Sequence, residues 1–368
     1  MNTETKQNIK NKNGIILAIC VVVLVIIIAA CFIFLKGKDS GAAIEYLDPN
    51  GNVTASVDMS FMSLMTAVMN YQLGTDALDD EGWETAVDGD GKTIKDYVID
   101  TSVDYAGMLL KSEYISDYIY GFGFSDEQEK DIDDFMAELV AAYGTEDALE
   151  NYLSGFGTNS ASLRRFMELS MKQKTLLGML YASITDEEKM QYFEENYMVA
   201  DHIMIKLQGA LKDDGTVIPL TDEQKKEKIE YAKNVFNEIK GGVRDFDTAI
   251  YEIGEDTYKL AYPNGYFIPN SGNSNLDSKV INEIRVMKDG EMRLVETENA
   301  VFIVRRNPMN RALCLASGDF SAIIGSELAQ NEFWMQCQAL DGTVVHEEII
   351  DELDPSAIMG FNIDGLGQ

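Results

Sequence analysis

Residues 199–207 read Val-Ala-Asp-His-Ile-Met-Ile-Lys-Leu, and this stretch decides the fold. Val199, Ile203, Ile205 and Leu207 fall on one side, while Ala200, His202, Met204 and Lys206 fall on the other. Successive side chains of a strand point to opposite faces, so the alternation predicts a strand. Downstream comes a polar turn with Asp213-Asp214-Gly215. Ile229, Ala232, Phe236 and Ile239 then share one face of a helix over 222–240, which Gly241-Gly242 ends. Phe246 to Ile253 predicts a second, short helix, and Tyr262-Pro-Asn-Gly-Tyr-Phe267 a turn into an aromatic strand. Val280 to Met287 reads as a short helix or turn, and Asp289-Gly290 as a tight turn. Met292–Val295 and Ala300–Arg305 form a closing hairpin. The order β-α-α-β-α-β-β implies a small α/β sandwich with its sheet on one side.

Upstream, from Val57 to about Leu153, the period is helical. Phe61, Met62, Leu64, Met65, Val68 and Met69 recur at three- and four-residue steps, and Val98 to Tyr120 behaves similarly. The Met59–Met69 stripe has two readings, an adaptable client-binding surface or simple helix core. Ser125-Asp-Glu-Gln128, Thr185-Asp-Glu-Glu188 and Thr221-Asp-Glu-Gln224 carry the capping-box pattern, which satisfies amides that a first helical turn leaves free. Helices are therefore expected at about 126–142, 161–182, 186–196 and 222–240. In the tail, Phe320 to Leu340 is amphipathic, and a strand-like Gly342-Thr-Val-Val-His-Glu follows. The chain carries no internal repeat and no low-complexity segment.

Ile15 to Leu35, IILAICVVVLVIIIAACFIFL, is free of charge and long enough as a helix to span a hydrocarbon core. Lys6, Lys10 and Lys12 precede it, which places the N-terminus in the cytoplasm and the body outside. Ile28-Ala29-Ala30-Cys31 has a rival reading as a lipobox, with cleavage before a lipidated Cys31, although Phe32-Ile33-Phe34-Leu35 continues the apolar run. Either anchor leaves the body on the same side. Residues 36–55, rich in Gly, Asp and Asn, read as a tether with one short strand at most.

The whole chain has 368 residues, with 62 acidic against 30 basic side chains and a net charge of −32. Such a balance argues against nucleic acid as a partner, which needs clustered Lys and Arg. It favours basic clients and keeps the body soluble. Two histidines, His202 and His346, leave little room for a metal site or a His-dependent triad, and no metal is expected. Cys314 and Cys337 are the only cysteines of the body, without metal-ligand spacing. They read as two buried thiols, with a disulfide as the other option. Gly91-Lys92-Thr93 lacks the first P-loop glycine, since Ala86 stands there, and Asp88-Gly-Asp-Gly91 lacks EF-hand spacing. Neither G-x-S-x-G nor H-E-x-x-H occurs.

At His202 the residues become recognisable. Val199-Ala-Asp-His-Ile-Met-Ile-Lys206 resembles the first strand of parvulin-type (PpiC) peptidyl-prolyl isomerase domains, with a pattern near A-x-H-I-L-I-K. Phe246-x-x-Ala249, Gly254-Glu-Asp256, Asn264-Gly-Tyr-Phe267, Gly290-Glu291 and Val301-Phe-Ile-Val-Arg305 follow in that family's order. The match covers about 199–306. The helical region before it resembles the N-terminal module of extracytoplasmic foldases of the PrsA/SurA group.

The resemblance implies His202 and Asp256 as the catalytic pair and Met204, Phe267, Leu276, Val280 and Val301 as substrate-binding positions, with no cofactor. It also exposes departures. The family's second histidine would fall at about Val301, the phenylalanine of the proline wall near Val280, its methionine near Leu276, and a leucine at Asn264; Asn270–Asn275 looks like an insertion. These changes imply weak or absent isomerase activity from a degenerate site.

The fold implied is α+β. It comprises a basic cytoplasmic N-terminus (1–14), a transmembrane anchor (15–35), a linker (36–55) and an all-α chaperone module similar to that of SurA and PrsA (56–198). A parvulin-like, FKBP-like sandwich (199–308) follows, then a C-terminal helix and tail (309–368), the helix packing back on the helical module. The function implied is that of a membrane-anchored extracytoplasmic foldase or chaperone for secreted proteins, whose partners are unfolded or proline-containing polypeptide clients. The alternative is an inactive chaperone or envelope scaffold that uses the parvulin-like domain only for binding.

Overall fold

The computed structural model describes residues 41–209, 217–260, 262, 265–271 and 276–363. The anchor expected at 15–35 with Cys31, the turn at 213–215, Asn264 and most of the 270–275 loop lie outside them. Among the described residues no helix is long and apolar enough to cross a membrane.

The fold is mixed α+β. The order opens with β1 (Ala42–Leu47), β2 (Val53–Asp58), α1 (Met59–Leu73), α2 (Asp80–Trp83), α3 (Ile94–Tyr114), α4 (Asp126–Tyr143), α5 (Glu146–Ser154) and α6 (Ser160–Ser183). It continues through α7 (Asp186–Asn196), β3 (Tyr197–Lys206), α8 (Asp222–Lys240), α9 (Phe246–Glu252), β4 (Tyr266–Pro269) and α10 (Ser278–Arg285). It closes with β5 (Met292–Glu296), β6 (Ala300–Asn307), α11 (Arg311–Ala316), α12 (Gly318–Gln338), β7 (Thr343–Val345) and α13 (Glu347–Ile350). The chain divides into two units, up to residue 176 together with 336 onward, and 177–335. Helix α7, read from the sequence as part of the helical module, lies in the second.

The first unit is not all-α. Its strands form an antiparallel sheet of order β2-β1-β7. The segment read as a tether holds β1 and most of β2, because Ile44, Tyr46, Ala55 and Val57 alternate into the core. Asp48 closes the turn between them by accepting from the amides of Asn50 and Asn52, each at 2.8 Å. The Gly- and Asn-rich composition belongs to that turn, not to a loose linker. Helix α1 is buried on almost every side, and Met62, Met65 and Met69 pack with Leu109, Leu110 and Tyr46. These methionines are core, so the client-surface reading of this stripe falls. Asn70 extends from α1 to donate to the carbonyls of Pro355 (2.9 Å) and Ile358 (2.7 Å), which pins the C-terminal segment.

Helix α3 opens on a fourth capping box, Thr93 with Asp96, and runs into a π-helical turn at Ile115–Ile119. At that junction Glu113 accepts from Arg165 (2.9 and 2.5 Å) and from Lys172 (3.0 Å). Lys172 also reaches Asp117 at 2.6 Å. Lys172 and Glu113 are both buried.

The second unit carries the antiparallel sheet β4-β3-β6-β5, in the β-α-α-β-α-β-β order that the sequence implies. Helices cover both faces, however, not one. The even face of β3, with Met198 and Ala200, packs on Val280, Ile281 and Ile284 of α10. The odd face, with Ile203 and Ile205, packs on Ala232, Val235 and Ile239 of α8 and on Phe246 and Ala249 of α9. Continuous burial explains why β6, Ala-Val-Phe-Ile-Val, reads as an unbroken apolar run. Helix α12 packs through Phe320 and Ile324 on Met190 and Phe193 of α7. Glu327 of α12 takes hydrogen bonds from the hydroxyls of Tyr192 (2.8 Å) and Tyr197. Cys314 and Cys337 are both buried and free.

Candidate functional site

Strand β3 has β4 as its neighbour only as far as Ala200, which pairs with Tyr266. Beyond that point its outer edge is met by the segment after α9. The amide of Glu255 donates to the carbonyl of Met204 at 2.8 Å, and the Glu255 carboxylate accepts from the amide of Lys206 at 2.6 Å. This pairing carries the next residue, Asp256, over the edge to His202. The Nε2 atom of His202 lies 3.1 Å from Oδ2 of Asp256, with the two side chains 2% and 10% exposed.

The Asp256 carboxylate is heavily supplied with donors. It takes the Tyr266 hydroxyl on the same Oδ2, and the Tyr258 amide at 2.9 Å on Oδ1. The hydrogen bond from His202 outweighs burial, and those from Tyr266 and Tyr258 reinforce it, so the carboxyl is held far below the usual carboxylate range. Burial and then the Asp256 hydrogen bond push the Tyr266 hydroxyl far above its ordinary value. Near neutral pH the group therefore holds an ionised Asp256 and a protonated Tyr266.

Rings complete the arrangement. Tyr266 lies 4.7 Å from the imidazole at an interplanar angle of 33°, and Phe302 meets the imidazole edge-on at 5.5 Å. Tyr262 lies against Tyr266 with ring centroids 4.7 Å apart and planes tilted by 35°. A small cavity of about 110 Å³ opens here, walled by His202, Tyr262, Tyr266 and Tyr251. Ile250, Lys259, Asp201 and Asp247 complete its wall.

The other expected positions separate by face. Met204, Leu276 and Val280 share the His202 side of the sheet, in the apolar cluster with Phe302 and Val304, but they do not wall the cavity. Phe267 and Val301 lie on the opposite face. Phe267 packs on Phe193 (4.9 Å) and Phe320, and Val301 packs with Ile205 and Ala232. Strand alternation is the reason: antiparallel register sets Tyr266 against Ala200 and Phe302 against Met204, so their neighbours Phe267 and Val301 must point away. On β6 the residues that share the face of His202 are thus Val304, its direct partner, and Phe302, whose ring meets the imidazole, not Val301.

Tyr266, Tyr262, Tyr251 and Phe302 escaped the reading of the sequence. The aromatic strand was visible, but its parity was not, because parity depends on which residue pairs with Ala200. Among the described residues no group of three or more His, Cys, Asp or Glu is placed to hold a metal ion.

Gly265 sets the approach of Tyr266. Its φ is +89°, and an added Cβ would come within 2.9 Å of Val199 Cγ1 and 3.1 Å of Asp201 Oδ1. Gly265→Ala is expected to cost about 1–3 kcal/mol in stability and to shift the Tyr266 hydroxyl away from Asp256. Denaturant unfolding together with the imidazole proton resonances of His202 checks both effects.

No family model matches the sequence, and no curated protein matches it. Among solved structures, the chain is similar to the foldase protein PrsA of Streptococcus pneumoniae at 16% identity, covering 73% of this chain and 96% of that one, with a TM-score of 0.27. PrsA of Bacillus subtilis aligns at 15% identity over 77% and 98% of the two chains, with a TM-score of 0.25. The PrsA peptidylprolyl isomerase of Bacillus cereus aligns at 12% identity over 73% and 97%, with a TM-score of 0.30.

Proposed function

We propose that this chain is an extracytoplasmic foldase or chaperone, held at a membrane by residues 15–35, whose second unit binds X-Pro segments of unfolded clients and isomerises them weakly. The observation that carries the reading is the meeting of His202, Asp256 and Tyr266 beside a small cavity at the outer edge of β3.

Rotation about an X-Pro bond needs neither a nucleophile nor a metal. The barrier comes from amide resonance and makes the unaided step take tens to hundreds of seconds. A catalyst must bind the twisted amide, in which that resonance is lost, better than either planar form. Here the rings of Tyr266, Tyr262 and Tyr251 supply apolar walls, and the tied imidazole and carboxylate supply a fixed polar edge that costs no reorganisation.

One observation favours the second reading, a binding module without catalysis. Val301, where the resemblance calls for a second histidine, packs on the opposite face, and Phe302 stands edge-on to the imidazole, so His202 has carbon on that side instead of a hydrogen-bonding ring. The two readings part in a paired experiment on the full chain. Acceleration of cis-trans exchange in a proline tetrapeptide, followed without a coupling protease, marks the isomerase. Suppression of client aggregation without such acceleration marks the chaperone, and absence of both removes the proposal.

A further inference from the structure

The cavity beside His202 carries an exposed carboxylate, Asp247, among tyrosine rings, which prolyl binding alone does not explain. We propose that it is a subsite for a basic side chain, lysine or arginine, adjacent to the proline of a client segment. The proposal rests on the prolyl reading above and adds a substrate class to it.

Two carboxylates of the wall share one guanidinium through a single nitrogen. Nη2 of Arg305 lies 3.0 Å from Asp201 and 2.6 Å from Asp247. Asp201 has a further donor in the Asn307 amide at 2.7 Å, whereas the Asp247 side chain remains 67% exposed. Asp247 therefore shares its guanidinium and presents its carboxylate to solvent at the cavity rim.

The other cation of the wall is turned to backbone and makes no ion pair with Asp247 among the described residues. Lys259 directs its ammonium to the carbonyls of Ile250 (3.2 Å), Tyr251 (3.2 Å) and Gly254 (2.6 Å). Those carbonyls lie at and just beyond the C-terminal end of α9, where backbone acceptors lack helical partners and favour a cation. Its three donors are thus engaged by backbone.

The rest of the wall is aromatic. Tyr251 and Tyr262 are partly exposed, and Tyr266 lies against Tyr262. Tyrosine faces attract a cation within about 6 Å of the ring centre. An alkyl-ammonium or guanidinium stem would lie along these rings with its head at Asp247, while an acidic side chain would meet both the carboxylate and the ring faces. A chain of net charge −32 adds a long-range field of the same sign.

The test titrates the full chain with capped tetrapeptides of sequence Ala-X-Pro-Phe, X being Lys, Arg, Ala or Glu, and follows the His202 imidazole resonances. A lysine peptide with alanine in place of proline is the control. Lys and Arg peptides are expected to bind roughly three- to tenfold more tightly than the Ala peptide, and the Glu peptide more weakly, at low salt. Asp247→Asn and, separately, Tyr251→Leu should narrow the Lys-over-Ala ratio; both positions are exposed, so the fold should tolerate them. Equal affinity for the Lys, Ala and Glu proline peptides overturns the subsite and leaves the prolyl reading standing. A lysine control without proline that binds as tightly as the Lys-Pro peptide also overturns it, because only general attraction to an acidic chain is then at work. If no proline peptide binds, the prolyl reading fails and the subsite with it.

Discussion

Asp256→Ala is expected to lower whatever acceleration of prolyl isomerisation the chain provides by about tenfold or more, the equivalent of ~1.4 kcal/mol of transition-state binding. The substitution removes the acceptor that His202 and Tyr266 share, and it leaves two buried donors without a partner. The imidazole then loses the contact that fixes its orientation. The same loss should cost about 1–3 kcal/mol in stability, the usual penalty for stranding a buried polar group. Asp256→Asn retains the shape and one acceptor oxygen, so it should recover part of both effects. His202→Ala should match Asp256→Ala in the tetrapeptide assay. Suppression of client aggregation should survive all three substitutions, since α1 to α6 lie outside the cluster. Wild-type exchange rates in Asp256→Ala would show that this cluster is not the seat of any isomerase activity.

The second large effect lies in the first unit. Lys172→Ala is expected to destabilise it by about 3–5 kcal/mol, because Glu113 would be left buried with half its partners. Asp117 loses its cation as well, in a π-helical turn where its other oxygen already has no hydrogen-bond partner. Replacing Glu113 and Lys172 together by Leu and Met should recover much of the loss, since apolar residues of similar volume often substitute well for a buried ion pair. Unfolding followed by Trp83 fluorescence, in a Trp334→Phe background, reports on this unit. The network also has a pH signature. Burial pushes the Glu113 carboxyl up, but hydrogen bonds and charges from Arg165 and Lys172 outweigh it and hold the group below its ordinary value. A depressed carboxylate stabilises the fold above its unfolded pKa, and that contribution is lost as pH falls through the folded one. The midpoint of denaturation should therefore drop on acidification in the wild type and respond less in the Leu/Met pair. An unchanged midpoint in Lys172→Ala would contradict this account.

Much of the architecture was legible from local rules. Capping boxes at Ser125, Thr185 and Thr221 mark the starts of α4, α7 and α8, because hydroxyl and carboxamide or carboxylate groups at that spacing have few other uses. The strand around His202 was legible from period two. Non-local pairing was not. The β1–β2 hairpin hid in a Gly- and Asn-rich stretch, and its third strand, β7, comes from residues 343–345, almost three hundred positions on. The site shows the same division. His202 and Asp256 could be singled out by their place in a motif, whereas Tyr266 and Phe302 depend on register, which no single strand encodes.

Strand β1 pairs on one side with β2 and on the other with β7. The second unit, residues 177–335, is one uninterrupted stretch lying between these partners. A ribosome makes a chain from the N-terminal side, so β1 and β2 exist long before β7 is translated. The inserted unit has its four described strands by residue 307, while the unit that began first still has a bare edge at β1. The first unit to start is thus the last able to close.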